Sequence, residues 1–143
     1  MAFSLPKTRI DSVDRFVREA CARGEDRPFF VSAESDATRL SFRELDERIS
    51  RAANVYSTLG IGPNTAVSLF LRNSADFFPA WLGAIRAGAV VNPINLGLER
   101  NPERVVYMLK RAKAKLFVME RAFVQLAAEV KTAYPSLPIV FVD

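Results

Sequence analysis

A chain of 143 residues, half of them apolar, is long enough to bury one compact core and too short for a large multi-domain enzyme. Twenty Lys and Arg against sixteen Asp and Glu leave a net charge of +4, read as a mild excess spread along the whole chain and not gathered in a tail. Histidine is absent, which excludes imidazole bases, Ser-His and Cys-His nucleophiles and His-ligated zinc or haem, and the single cysteine, Cys21, excludes an internal disulfide.

Met1 is followed by Ala-Phe-Ser-Leu-Pro-Lys, without the basic and long apolar regions of a signal peptide. The most apolar stretch, 77–91, is interrupted by Arg86 and falls short of the ~20 residues a membrane span needs. A soluble, cytoplasmic protein is expected, with Cys21 reduced.

The first element spans Ser12 to Arg23, where Val13, Phe16, Val17, Ala20 and Cys21 recur at helical spacing and Gly24 supplies a stop. Cys21 falls on the apolar face and reads as a small core residue, since no cluster of cations is placed to lower its pKa. Two strand-like runs, 28–33 and 38–40, are joined by the polar Glu34-Ser-Asp-Ala37, which predicts a β-hairpin. Ser41 then stands three residues before Glu44, the spacing of a capping box, and Phe42, Leu45, Ile49, Ala52, Ala53, Tyr56 and Leu59 repeat every three or four residues up to Gly60.

From Ala66 apolar runs alternate with helical patterns. Ala66 to Leu71, Ala89 to Val91, Lys115 to Met119 and Ile139 to Val142 read as strands; Asp76 to Ala87, Pro102 to Ala112 and Arg121 to Ala133 read as helices. Asn101 is placed to cap the second of these helices, with Pro102 at its first position. Pro79 would break a helix begun earlier, and a start with Asp76 as cap moves it into the tolerated first turn. Continuous apolar strands between amphipathic helices predict an α/β fold: an N-terminal helix and hairpin, then part of a doubly wound parallel sheet covered on both faces.

Candidate site residues are few. The loop Gly60-Ile-Gly-Pro-Asn-Thr65 fails the dinucleotide fingerprint, because Thr65 replaces the third glycine and a helix, not a strand, precedes it. No Gly-x-x-x-x-Gly-Lys-Ser/Thr loop occurs. Asn73 reads as a cap or turn residue, Gly88 and Pro93 as a helix stop and a strand-end turn, and Phe77, Phe78 and Trp81 as a packing cluster, with an acyl-tunnel wall as the alternative. Asn95 follows a parallel strand at its carboxyl end, where open α/β sheets hold ligands, and is the candidate for a substrate-side contact. Arg100, Arg104, Lys110, Arg111, Lys113 and Lys115 form the densest basic stretch, a solvated helix face or a peripheral contact with anionic membrane. Nucleic-acid binding is disfavoured, since these cations are not interleaved with aromatic residues.

Arg39 to Ala53, containing Ser41-Phe-Arg-Glu-Leu45, and Phe70 to Leu98, containing Arg86-Ala-Gly-Ala-Val-Val-Asn-Pro-Ile-Asn95, resemble the first two core motifs of the acyl-CoA synthetases and AMP-forming ligases. The resemblance extends from about Ser12 to Val142, and the wording Asn-Ser-Ala-Asp-Phe77 and Trp-Leu-Gly83 leans toward fatty acyl-CoA synthetases. It implies ATP-dependent activation of a carboxylate through an acyl-adenylate to a CoA thioester, with ATP, Mg2+ and CoA as cofactors of the parent enzyme and a fatty acid or other carboxylate as substrate.

The family's glycine-rich phosphate loop, its ATP and magnesium residues and its mobile catalytic-lysine domain find no counterpart in 1–143. The chain is therefore expected to be the N-terminal portion of an AMP-binding domain, with no complete second domain, no catalytic or cofactor-binding residues of its own, and no ligase activity alone. Strands left unpaired would give it marginal solubility. The alternative is a non-catalytic α/β module that meets a membrane surface or acidic partner through its basic helix.

Overall fold

The computed structural model describes residues 12–33 and 39–142. Ser12 accepts a hydrogen bond from the Arg15 N–H and caps α1 (Val13–Gly24). Strands β1 (Pro28–Val31) and β2 (Arg39–Ser41) pair antiparallel, as expected of a hairpin; its connection at Glu34 to Ala37 lies outside the described residues. In α2 (Phe42–Thr58) the capping box forms in both directions: the Ser41 hydroxyl accepts from the Glu44 N–H at 3.2 Å, and the Glu44 carboxylate accepts from the Ser41 N–H at 2.8 Å.

The alternating half follows as β3 (Ala66–Phe70), α3 (Phe77–Arg86), β4 (Val90–Pro93), α4 (Pro102–Arg111), β5 (Ala114–Glu120), α5 (Val124–Ala133) and β6 (Ile139–Val142). All three strand pairings in this sheet are parallel, in the order β4-β3-β5-β6, so β4 and β6 form the edges. Pro79 is the third residue of α3 and causes no break. Asp76 precedes that helix as expected but does not cap it; its carboxylate turns to Arg48 of α2 at 3.3 Å. Two short 3-10 turns, Leu96–Leu98 and Arg121–Phe123, went unforeseen, and the second delays α5 to Val124. Three residues per turn leave too short a pattern to distinguish from a loop.

Alternation along β3 and β5 divides the core in two. Val67, Leu69, Leu116 and Val118 meet Tyr56 of α2 and Ala80 and Ala84 of α3 on one face. Phe70, Phe117 and Met119 meet Val105, Leu109, Leu126 and Val130 of α4 and α5 on the other. A third cluster ties α1 and the hairpin to α2 and α3 through Cys21, Leu40, Leu45, Ile49 and Leu82. The α2–α3 crossing requires Gly83, because a Cβ there would lie 2.6 Å from the Ala52 Cβ.

A buried cation locks these three helices. The Arg86 side chain is 5% exposed and donates to Asp14 Oδ1 and Asp46 Oδ1, each at 2.7 Å, and to Ser50 Oγ at 2.8 Å. Burial alone would raise the Asp14 carboxyl, but hydrogen bonds from Arg18 and Arg86 outweigh it and hold the group below its ordinary pKa.

Candidate functional site

The strand order decides where a ligand would sit. From β3 the chain goes outward to β4 and then returns past β3 to β5, so the direction reverses between β3 and β5. In open α/β sheets the crevice at the carboxyl ends of such a strand pair is the usual ligand position. A cleft of about 300 Å³ opens there, lined by Leu71, Arg72 and Ser74 after β3, Glu120 and Arg121 at the end of β5, and Val142 of β6.

Its charges are matched. Glu120 accepts from the Arg72 main-chain N–H at 2.6 Å and pairs with the Arg72 guanidinium, which also lies 4.9 Å from the centre of the Phe123 ring. The Arg121 guanidinium stands 5.7 Å from the Phe141 ring. Ser74 accepts from the Asp76 N–H at 3.3 Å, closing the turn into α3. Such a crevice can orient a polar group over an apolar floor, but it holds no nucleophile beside a base. Among the described residues, no group of three or more His, Cys, Asp or Glu is placed to hold a metal ion.

Arg72, Glu120 and Arg121 escaped the sequence reading because β5 is remote from β3 in the chain; the signal available was the strand order, which no local pattern encodes. Asn95 lies elsewhere, exposed after the edge strand β4, and does not line the crevice. Its Oδ1 accepts from the Gly97 N–H at 2.8 Å and closes the Leu96–Leu98 turn. Asn73 is exposed in the β3–α3 loop.

Phe77, Phe78 and Trp81 pack as a cluster: Phe78 meets Phe29 of the hairpin edge-on at 5.0 Å, and Phe77 lies 5.9 Å from Trp81. In the loop before β3, the Thr65 hydroxyl accepts from the Gly62 N–H and donates to the Gly62 carbonyl. That N–H is therefore spent within the turn, at the amino end of the sheet and away from the crevice.

Six residues of the two sequence motifs have structural roles. Ser41 and Glu44 build a cap, Leu45 is 1% exposed, Arg86 clasps three helices, Gly88 ends α3 at a φ of 87°, and Ile94 is 4% exposed below Asn95.

The sheet order and its crevice define a doubly wound α/β scaffold with its ligand side at the carboxyl edge. Residues 17–141 match the family described as AMP-binding enzyme, and the chain belongs to that family. The crotonobetaine/carnitine–CoA ligase of Citrobacter koseri is 33% identical over 101 residues, which cover 71% of this chain and 19% of that protein. The corresponding ligase of Escherichia fergusonii is 34% identical over 93 residues, 65% of this chain and 18% of its own.

Among solved structures, an anthranilate CoA ligase bound to anthranoyl-AMP superposes with a TM-score of 0.83 at 20% identity, covering 96% of this chain and 26% of that one. An acyl-CoA synthetase of Brucella canis gives 0.75 at 26% identity, covering 88% and 23%. The chain spans about a fifth of the length of the curated relatives it matches. The ATP and Mg2+ that the family name implies do not fit the described residues: the crevice arginines are engaged with Glu120 and with aromatic rings, and no metal cluster is present there.

Proposed function

We propose that this sequence is the opening scaffold of an ATP-dependent carboxylate–CoA ligase, which forms an acyl-adenylate and then a CoA thioester, with a fatty acid as its carboxylate. The family match over residues 17–141, laid on a parallel sheet covered by helices on both faces with β4 and β6 as its edges, carries this reading. The choice of a fatty acid rests on the sequence wording from Asn73 to Gly83; the curated relatives named above are crotonobetaine/carnitine–CoA ligases. ATP, Mg2+ and CoA serve the parent enzyme, and the 143 residues alone bind none of them and have no ligase activity. Asn95, exposed after β4 with its side-chain carbonyl on the Gly97 turn, is assigned a substrate-side contact outside the crevice. A reducing, cytoplasmic compartment is supported by the buried free thiol of Cys21, whose pKa burial pushes up.

Replacing the matching segment of a crotonobetaine/carnitine–CoA ligase with residues 17–141 tests the scaffold role. A folded chimera that still releases pyrophosphate on addition of ATP and carboxylate is expected; a folded, inactive chimera overturns the reading. The 143-residue chain assayed alone should show no carboxylate-dependent release, and turnover would refute its inactivity. In the parent polypeptide, palmitate should outpace carnitine and benzoate; the reverse order removes the fatty-acid assignment.

A further inference from the structure

The excess positive charge is not spread along the chain. Residues 99–115 hold six cations against two carboxylates, Glu99 and Glu103, which is +4 and equals the net charge of the entire chain. The six, Arg100, Arg104, Lys110, Arg111, Lys113 and Lys115, are all exposed. Among the described residues none of them forms an ion pair, whereas Arg18, Arg43, Arg72 and Arg86 each have a carboxylate partner.

The six lie just before α4, along it, and from its end into the start of β5. The apolar stripe of α4, Val105, Val106 and Leu109, is consumed by the core, so the helix cannot insert and presents only its polar face. Tyr107 stands in the middle of that face, 56% exposed, with the Arg104 guanidinium 5.5 Å from its ring centre. Glu103 lines the groove between α4 and α5 together with Glu129. Lys113 and Lys115 flank Ala114, which is in register with Ala66 and through it with Val90, 62% exposed at the sheet edge.

We propose that this α4–β5 face docks on an anionic lipid bilayer, its cations at the headgroups and Tyr107 at the interface. Six exposed cations against two carboxylates, with Tyr107 exposed among them and Lys110 also over the half-buried Tyr134 ring, have the chemistry of such a surface. A single-stranded nucleic acid would need successive exposed rings for base stacking, and this face offers one. The surface is independent of the ligase reading: a chain without adenylation activity can still bind lipid.

Vesicle flotation of the 143-residue chain tests it, because bound protein rises while aggregate sinks. In 0.1 M salt the chain should float with phosphatidylcholine vesicles containing 30% phosphatidylserine and not with phosphatidylcholine alone. Each cation near the surface is worth about fivefold in partitioning, so Lys110→Gln with Arg111→Gln, or Lys113→Gln with Lys115→Gln, should each weaken binding about 25-fold. Arg51→Gln on α2 should change it little. Raising salt to 0.5 M should release the protein, since the Debye length falls to a few ångström. Failure to float, equal flotation of both double variants with circular dichroism unchanged, an equal loss in Arg51→Gln, or tighter binding to a 20-nucleotide RNA at the same salt would each overturn the proposal.

Discussion

Replacing Arg86 probes the joint at which α1, α2 and α3 meet. In Arg86→Ala the carboxylates of Asp14 and Asp46 lose a partner at 2.7 Å each, and Ser50 Oγ loses one at 2.8 Å. Breaking a fully buried ion pair costs about 3–5 kcal/mol, mostly from the charge left behind. Here the side chains of Asp14 and Asp46 are 26% and 41% exposed and regain part of their hydration. The expected loss is therefore ~2–3 kcal/mol, or a fall in Tm of roughly 6–15 °C for a chain of this length.

Urea unfolding followed by Trp81 fluorescence and thermal melting by circular dichroism both read this loss. Arg86→Lys keeps the charge but not the planar fork and should retain about half of the stabilisation. Asp14→Asn should cost about 1 kcal/mol in the parent chain and under about 0.5 kcal/mol in the Arg86→Ala background, because the two share one interaction. An Arg86→Ala chain within about 0.5 kcal/mol of the parent, or equal Asp14→Asn costs in both backgrounds, would refute the clasp.

Two further outcomes follow from the packing and the charges. Gly83→Ala should destabilise by about 2–4 kcal/mol, since the new Cβ meets the Ala52 Cβ at 2.6 Å and the Ala53 N and Ile49 O at 3.2 Å, and backbone cannot yield. Gly62→Ala, whose nearest atom is 3.7 Å away, should stay within about 1 kcal/mol of the parent; similar urea midpoints for the two would contradict the close crossing. Asp14 has a lowered folded pKa, so its contribution is full above the unfolded value of about 3.9 and is lost as pH falls through the lower folded value. Melting curves should show a decline below about pH 4 that is smaller in Asp14→Asn, and an unchanged acid limb in that variant would refute the assignment.

Local chemistry made much of this protein legible in its sequence. Ser41 and Glu44 build their cap from four consecutive residues, Asn101 caps α4 through the Arg104 N–H, and Gly60 and Gly88 end their helices at positive φ, none of which needs a distant partner. The period of the apolar residues likewise separated helices from strands and foretold a parallel sheet covered on both faces, because burial on both sides favours apolar residues at successive positions of a strand. The motif Arg86-Ala-Gly-Ala pointed to the family without revealing why an arginine stands there, since Asp14 and Asp46 lie 72 and 40 residues away. Tertiary structure alone decided the strand order β4-β3-β5-β6, and with it the crevice between Arg72 and Glu120. Which strand lies beside which depends on crossovers and long-range packing, energies that no local stretch of residues contains.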